Sequence, residues 1–416
     1  MADGALPGSG VPGPRPGGGR PAAGAERLFT TPFVLTCLAT CMFFLSHQLV
    51  LMATPLYALE RGGSEADAGT LTLVFSLAAL VSRLPIGWVM DRWGRRPVML
   101  AGTGIAVACA LLYPGVAAMP GLLALRPFHG VALGIFTAAS AAVIVDVVPP
   151  ARRGEGMGYF GWGNNLPMAF GPMLSLALVS RFGFTTVFLV SAAVATIGTA
   201  LGAGVRETGA RVAAPLSLRP GTIFVPSAVF PGLIVGALTV NHGALVTFLP
   251  LMGKARAIGN PGAFFTVAAI LLILIRAKAG TLSDLWGRGP VILPGMFLTA
   301  LAMVLLGLSH GPGSLLAAGA LYGVGLALAQ PALMAMVGDR AGEADRGRAI
   351  STFYTGWELG IGAGAYPLGY LLSRTNFTVM FVTAGLVTAL GGIGYLLAPG
   401  RPRRRSGATA TREVSG

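Results

Sequence analysis

Twelve apolar stretches of membrane-crossing length occupy almost the whole chain, and they leave few folds open to it. A helix needs roughly 20 apolar residues to cross a bilayer, and inside hydrocarbon only helices or closed barrels satisfy their own backbone polar groups. The stretches run over about 30–56, 69–90, 98–117, 121–146, 157–180 and 185–205. After a gap they resume over 222–250, 262–282, 290–309, 313–337, 348–372 and 377–398. Only 11% of residues are charged, against about 25% in soluble domains. The 62 glycines suit helices that pack closely in lipid. The expected fold class is an all-α membrane protein.

Between the second and third stretches lies Gly87 to Arg96, G-W-V-M-D-R-W-G-R-R. Four ionised groups would be costly at membrane depth, so this segment is expected to be a short loop outside the hydrocarbon. A related segment, G-T-L-S-D-L-W-G-R-G, begins at Gly280, at an offset of 193 residues. At that offset Asp91 meets Asp284, Arg95 meets Arg288, Gly130 meets Gly323, Asp146 meets Asp339, Gly171 meets Gly364 and Arg83 meets Arg276. His47 and His242 correspond at an offset of 195. Six spans repeated in one orientation imply two bundles related by a pseudo-two-fold axis along the membrane normal.

The net charge of +14 raises the question of nucleic acid, and its distribution answers it. Cytoplasmic loops carry an excess of Lys and Arg. With the N-terminus inside, 20 basic residues fall on the inner side and 5 on the outer, with Arg83, Arg126, Arg276 and Lys278 inside spans. Both termini are therefore expected in the cytoplasm, and no nucleic-acid partner is expected. Residues 1–27 are rich in Gly, Pro and Ala and read as a disordered cytoplasmic arm, with no signal peptide. The expected organisation continues with a bundle over 28–205, a linker over 206–221, a second bundle over 222–399 and a basic tail over 400–416. Cys37, Cys41 and Cys109 lie in apolar runs with no metal-ligand spacing, so no metal site is expected.

With these motifs the sequence resembles the major facilitator superfamily. G-x-x-x-D-R-x-G-R-R between spans 2 and 3 is that family's signature, with a weaker copy between spans 8 and 9. The resemblance implies an alternating-access carrier with its site between the halves. It also implies that Asp91 sits near the start of span 11 and that Arg95 pairs with Asp146, latching the inner side while the carrier faces outward. Gly87, Arg92, Arg96, Asp284 and Arg288 belong to the same gate. Arg126, in A-L-R-P-F-H-G-V-A-L-G, looks like the Arg of the motif found in proton-linked carriers. Gly158, Gly171 and Pro172 fit the family's antiporter motif in part, with Pro167 in place of one Gly.

Ionisable residues inside a membrane are expensive and mark function. Of the 15 acidic residues only Glu358 falls well inside a span, about 15 Å from Arg348 at the helical rise. It reads either as a proton or cation-substrate site, or as a carboxyl hydrogen-bonded between helices. Tyr354, one turn earlier, is its expected partner. His47, His129 and His242 are further proton-exchange candidates, with interhelical hydrogen bonds as the plainer reading. His129 shares a helix face with Arg126, which is too deep to be a surface charge. Asn164 and Asn165 lie at midplane depth, as substrate contacts or helix bridges. Arg83 and Arg276 are expected to snorkel towards the interface.

Together these residues point to a monomeric, proton-coupled exporter of small amphipathic or drug-like compounds in the plasma membrane, needing the proton gradient and no cofactor. A carrier of sugars, organic acids or a metal-chelating metabolite, and a non-transporting membrane sensor, remain open alternatives. No H-E-x-x-H or phosphate-binding loop occurs, so an enzyme is not expected.

Overall fold

The computed structural model describes residues 27–208, 225–342 and 345–397. The linker from 209, the arm before 27 and the tail after 397 lie outside the described residues. Span 1 is Thr31–Glu60, and span 2 is Glu65–Arg83 continued by Ile86–Trp93. Span 3 is Arg95–Leu112 and span 4 is Met119–Val147. Spans 5 and 6 are the two arms of Arg153–Ala203, which breaks at Gly183, where φ is 79°. The second half repeats the order with span 7 (Pro226–Ala255), span 8 (Ala263–Trp286) and span 9 (Gly289–Gly307). Span 10 (Pro312–Arg340), span 11 (Arg346–Leu372) and span 12 (Phe377–Leu397) complete it. These are the twelve expected helices, within a few residues of their expected ends.

Sequence explains the ends. Pro sits in the first turn of spans 1, 4, 7, 9 and 10, where its missing N–H is not needed. Span 2 opens with a capping box in which the Ser64 hydroxyl accepts from Asp67 N–H at 3.2 Å and the Asp67 carboxylate accepts from Ser64 N–H at 2.8 Å.

Within each half the same neighbours meet. Span 2 packs on span 4 as span 8 packs on span 10, and span 3 joins spans 4 and 6 as span 9 joins spans 10 and 12. Glycine makes the fit. A Cβ at Gly130 would collide with the Phe75 carbonyl of span 2, and a Cβ at Gly323 would collide with the Ala268 carbonyl of span 8. Both the glycines and their contacts are matched by the 193-residue offset, so two bundles share one packing solution.

The halves meet through span 2 against span 11 and span 5 against span 8, a pair of contacts that the pseudo-two-fold exchanges. These contacts lie at the end of the bundle away from the signature segments. A Cβ at Gly369 would be 2.7 Å from the Glu65 carbonyl, and one at Gly362 2.7 Å from the Ser76 Cβ. Thr72 and Thr247 share a hydrogen bond of 2.8 Å, and Asn260 donates to the Met173 carbonyl at 2.9 Å. Towards the signature end Tyr159, Trp162 and Tyr354 are exposed. The molecule is closed at one end and open at the other.

Candidate functional site

The signature segment is not the loop its charges suggest. Ile86–Trp93 is helical, so charged Asp91 and Arg92 sit on the last turn of span 2. The chain reverses at Gly94 alone, with φ of 97°, and the copy reverses at Gly287, with φ of 90°. That left-handed backbone is what fixes Gly in both copies. Arg92 lies 5.8 Å over the Trp88 ring. Nothing lies within 4 Å of a Cβ built on Gly87, so the structure gives no packing reason for that glycine.

Arg95 pairs with Asp146 at the end of span 4, and Asp146 also accepts from the Thr208 hydroxyl at 2.8 Å. A residue not anticipated from sequence completes this corner. Glu207 accepts from Arg95 N–H at 2.8 Å and Arg96 N–H at 3.2 Å, capping the start of span 3 from 112 residues away. Arg96 donates to the Ala203 carbonyl at 2.7 Å. In the second half Arg288 takes both acids, Asp339 at 2.8 Å and Asp284 at 2.6 Å. Asp91, by contrast, is exposed and makes no hydrogen bond or ion pair among the described residues.

Deep in the first half, span 4 brings Arg126 and His129 against spans 1 and 2. His47 Nδ1 lies 3.5 Å from His129 Nε2, and Tyr113 Oη lies 3.4 Å from His129 Nδ1. The His47 ring stacks on Phe75 with centroids 5.4 Å apart, and the Arg126 guanidinium lies 5.2 Å over the same ring. Arg126 is fully buried, beside the Tyr113 hydroxyl, while its Nε and Nη1 have no hydrogen-bond partner among the described residues. No carboxylate among the described residues pairs with it.

The carboxylate is elsewhere. Glu358 Oε1 meets Arg83 Nη1 at 3.0 Å, joining the halves where they begin to part, with side chains 8% and 26% exposed. Arg83 therefore turns inward to a partner and does not snorkel. Tyr354 makes no hydrogen bond to Glu358 but lies within electrostatic reach of Glu358, Arg83 and Arg276. Arg276 is exposed and makes no ion pair or hydrogen bond among the described residues. Span 8 bends by 50° just after it.

Beside this pair lies a cavity between spans 5, 7, 8 and 10. Asn165, His242 and Tyr322 supply its polar groups, and its walls are apolar, among them Phe265, Leu272 and Ile273. The His242 ring is 6.4 Å from that of Trp357, the neighbour of Glu358 in sequence. The cavity is small, about 30 Å³, and sets these few polar groups against an apolar wall. Tyr322 occupies the repeat position of His129, the signal by which sequence could have singled it out. Asn164 is exposed and lines no part of the cavity. Of the antiporter-motif positions, Gly171 packs against Gln48 and Pro172 against Gly262, whereas Gly158 touches nothing. The structure thus places Asn165, His242 and Tyr322 on one cavity, pairs Glu358 with Arg83, and gathers His47, His129 and Arg126 in a buried cluster of the first half, with His47 in electrostatic reach of His242.

A family model described as Major Facilitator Superfamily matches residues 36–277 and 261–415. The staphylopine export protein of Staphylococcus aureus is 22% identical over 391 residues, spanning 90% of this chain and 98% of its own. The probable nitrate/nitrite transporter NarK2 of Mycobacterium tuberculosis is 29% identical over 291 residues, 64% of this chain and 70% of its own. Among solved structures, a POT family transporter in complex with 5-aminolevulinic acid superposes with a TM-score of 0.73 at 15% identity, covering 88% of this chain and 94% of the other. The nucleoside transporter NupG superposes with a TM-score of 0.72 at 14% identity, covering 88% and 99%.

Proposed function

The chain belongs to the major facilitator superfamily, and on that premise we propose that this multi-pass membrane transporter is a proton-coupled exporter of small amphipathic compounds. One observation carries the reading: the single carboxylate well inside the membrane, Glu358, is held at 3.0 Å by an arginine of the other half, beside an apolar cavity with three polar groups. A carboxylate that accepts either a proton or a substrate group, but not both, makes the two compete. Competition at one site is what exchange across a membrane requires. Breaking its bond to Arg83 also loosens a contact between the halves, which links the chemistry to alternating access.

With the basic loops inside, the open end is cytoplasmic and this conformation faces inward, ready to load substrate from the cell. Asp91, with no partner among the described residues, fits that state, since its proposed latch belongs to the outward-facing one. The relative named for staphylopine export supports the outward direction.

The test is transport in proteoliposomes with an inward proton gradient. The gradient is expected to drive substrate movement against it from a panel of amphipathic compounds, and Glu358→Gln is expected to abolish the driven component while leaving binding measurable. No gradient-dependent movement across the panel, or undiminished flux in the variant, overturns the reading.

A further inference from the structure

We propose that the substrate is an amphipathic zwitterion, its ammonium taken by Glu358, its carboxylate by Arg83 and Arg276, and its apolar part by the cavity beside them. This inference rests on the carrier reading above and narrows it to a class of compound.

The argument starts from the signs of the charges. In the inward-open state each half offers the other one charge, Arg83 from the first and Glu358 from the second, and the two meet at 3.0 Å. A purely cationic ligand that displaced Arg83 from Glu358 would leave that guanidinium half-buried without a partner. A purely anionic ligand would do the same to Glu358, which is the more buried of the two. Each case leaves a buried charge unpaired, a strongly unfavourable outcome. A ligand carrying both charges replaces both partners at once.

Coupling selects the same class. An anion that occupied Arg83 would be favoured by protonation of Glu358, so proton and anion would travel together. An ammonium at Glu358 competes with the proton, as exchange demands. The surplus cation then sets the balance. Arg276, the repeat mate of Arg83, makes no ion pair or hydrogen bond among the described residues and lies in reach of Tyr354 together with Arg83 and Glu358. It is one turn from Leu272 and Ile273 in the cavity wall, hence on the same helix face. Its guanidinium can hold a carboxylate through two parallel hydrogen bonds, placing the anionic end towards the mouth and the apolar end in the cavity.

Thermal-shift titration of the purified full-length protein tests this without any gradient. Two matched series serve as probes: tryptophan, tryptamine and indole-3-propionate, and phenylalanine, phenethylamine and 3-phenylpropionate. In each series the zwitterion is expected to bind about tenfold tighter than either singly charged analogue, the scale of one charged hydrogen bond. Arg276→Gln should weaken the zwitterion and the anion but not the cation. The sharper signature is a crossing of signs. Glu358→Gln, by freeing Arg83, should tighten the anion while weakening the zwitterion, and Arg83→Gln, by freeing Glu358, should tighten the cation. A general loss of folding would move all probes alike. The proposal is overturned if neither series prefers its zwitterion, or if that preference survives in both Arg276→Gln and Glu358→Gln. Proteoliposome flux separates the two readings: zwitterion binding without proton-driven movement removes the coupling and leaves the substrate class. Proton-driven movement of cations alone does the reverse.

Discussion

The two halves are built on one plan and hold their charges differently. At the signature end of the second half, Arg288 holds Asp284 and Asp339 together. In the first half Arg95 takes only Asp146, and Asp91 is left with no partner among the described residues. In the membrane interior the contrast is reversed. The first half buries Arg126 with two unpartnered nitrogens, where the repeat places Gly319 in the second. The second half supplies Glu358, where the repeat places Asn165 in the first. Duplication therefore fixed the frame, and divergence distributed the charges: a single ion pair and a buried cation on one side, a two-acid clasp and the buried carboxylate on the other.

Breaking this division at Arg126 should give the largest effect. A buried guanidinium with no acidic partner among the described residues destabilises the state that buries it, so Arg126→Met should raise the thermal stability of the inward-open protein by about 1–4 kcal/mol while abolishing transport. A loss of stability would show that the cluster with Tyr113 and His129 compensates the charge after all. Next come the paired glycines. Gly130→Ala and Gly323→Ala should each cost about 1–3 kcal/mol through overpacking, and by similar amounts, because each Cβ meets the matched carbonyl of Phe75 or Ala268. Unequal unfolding midpoints would mean that the frame is less symmetric than its contacts.

Smaller effects separate the latch from the clasp. Asp91→Asn removes no contact among the described residues of this conformation, yet under the proposed latch it should weaken the outward-facing state by about 1 kcal/mol, the worth of a carboxylate at a helix N-terminus. A cysteine placed at Trp162, exposed on the open side, should then be labelled several-fold more often from the cytoplasmic side. Unchanged labelling would remove Asp91 from the gate. Asp284→Asn breaks a bond on the surface, where the aspartate side chain is 70% exposed. It should cost a few tenths of a kcal/mol at most and leave labelling as it was.

Much of this architecture was legible in the residues. Apolar length placed the twelve helices, the 193-residue offset paired the halves, and the same offset put Arg83 opposite Arg276 and Gly130 opposite Gly323. The resemblance of the signature paired Arg95 with Asp146. What could not be read was direction. Charge density made Gly87 to Arg96 look like a loop, because sequence does not show that an interfacial helix can carry Asp91 and Arg92 on its final turn and leave the reversal to one glycine. Arg83 was expected to reach for the interface because the bilayer rewards that unless a counter-charge is near, and its counter-charge sits 275 positions away on the other half. Glu207 caps span 3 from the linker by the same kind of long-range closure. No local pattern announces either contact.

The central claim is that proton and substrate compete for one carboxylate, and the most direct test is the pH dependence of substrate affinity in the purified protein. Glu358 is faced there by Arg83 at 3.0 Å, with Tyr354 in electrostatic reach of it and of Arg276. Affinity for the tightest-binding zwitterion should fall on acidification, by about tenfold per pH unit once the carboxyl is protonated, and Glu358→Gln should remove that dependence. Affinity that does not fall on acidification, or an identical fall in the variant, would contradict the account.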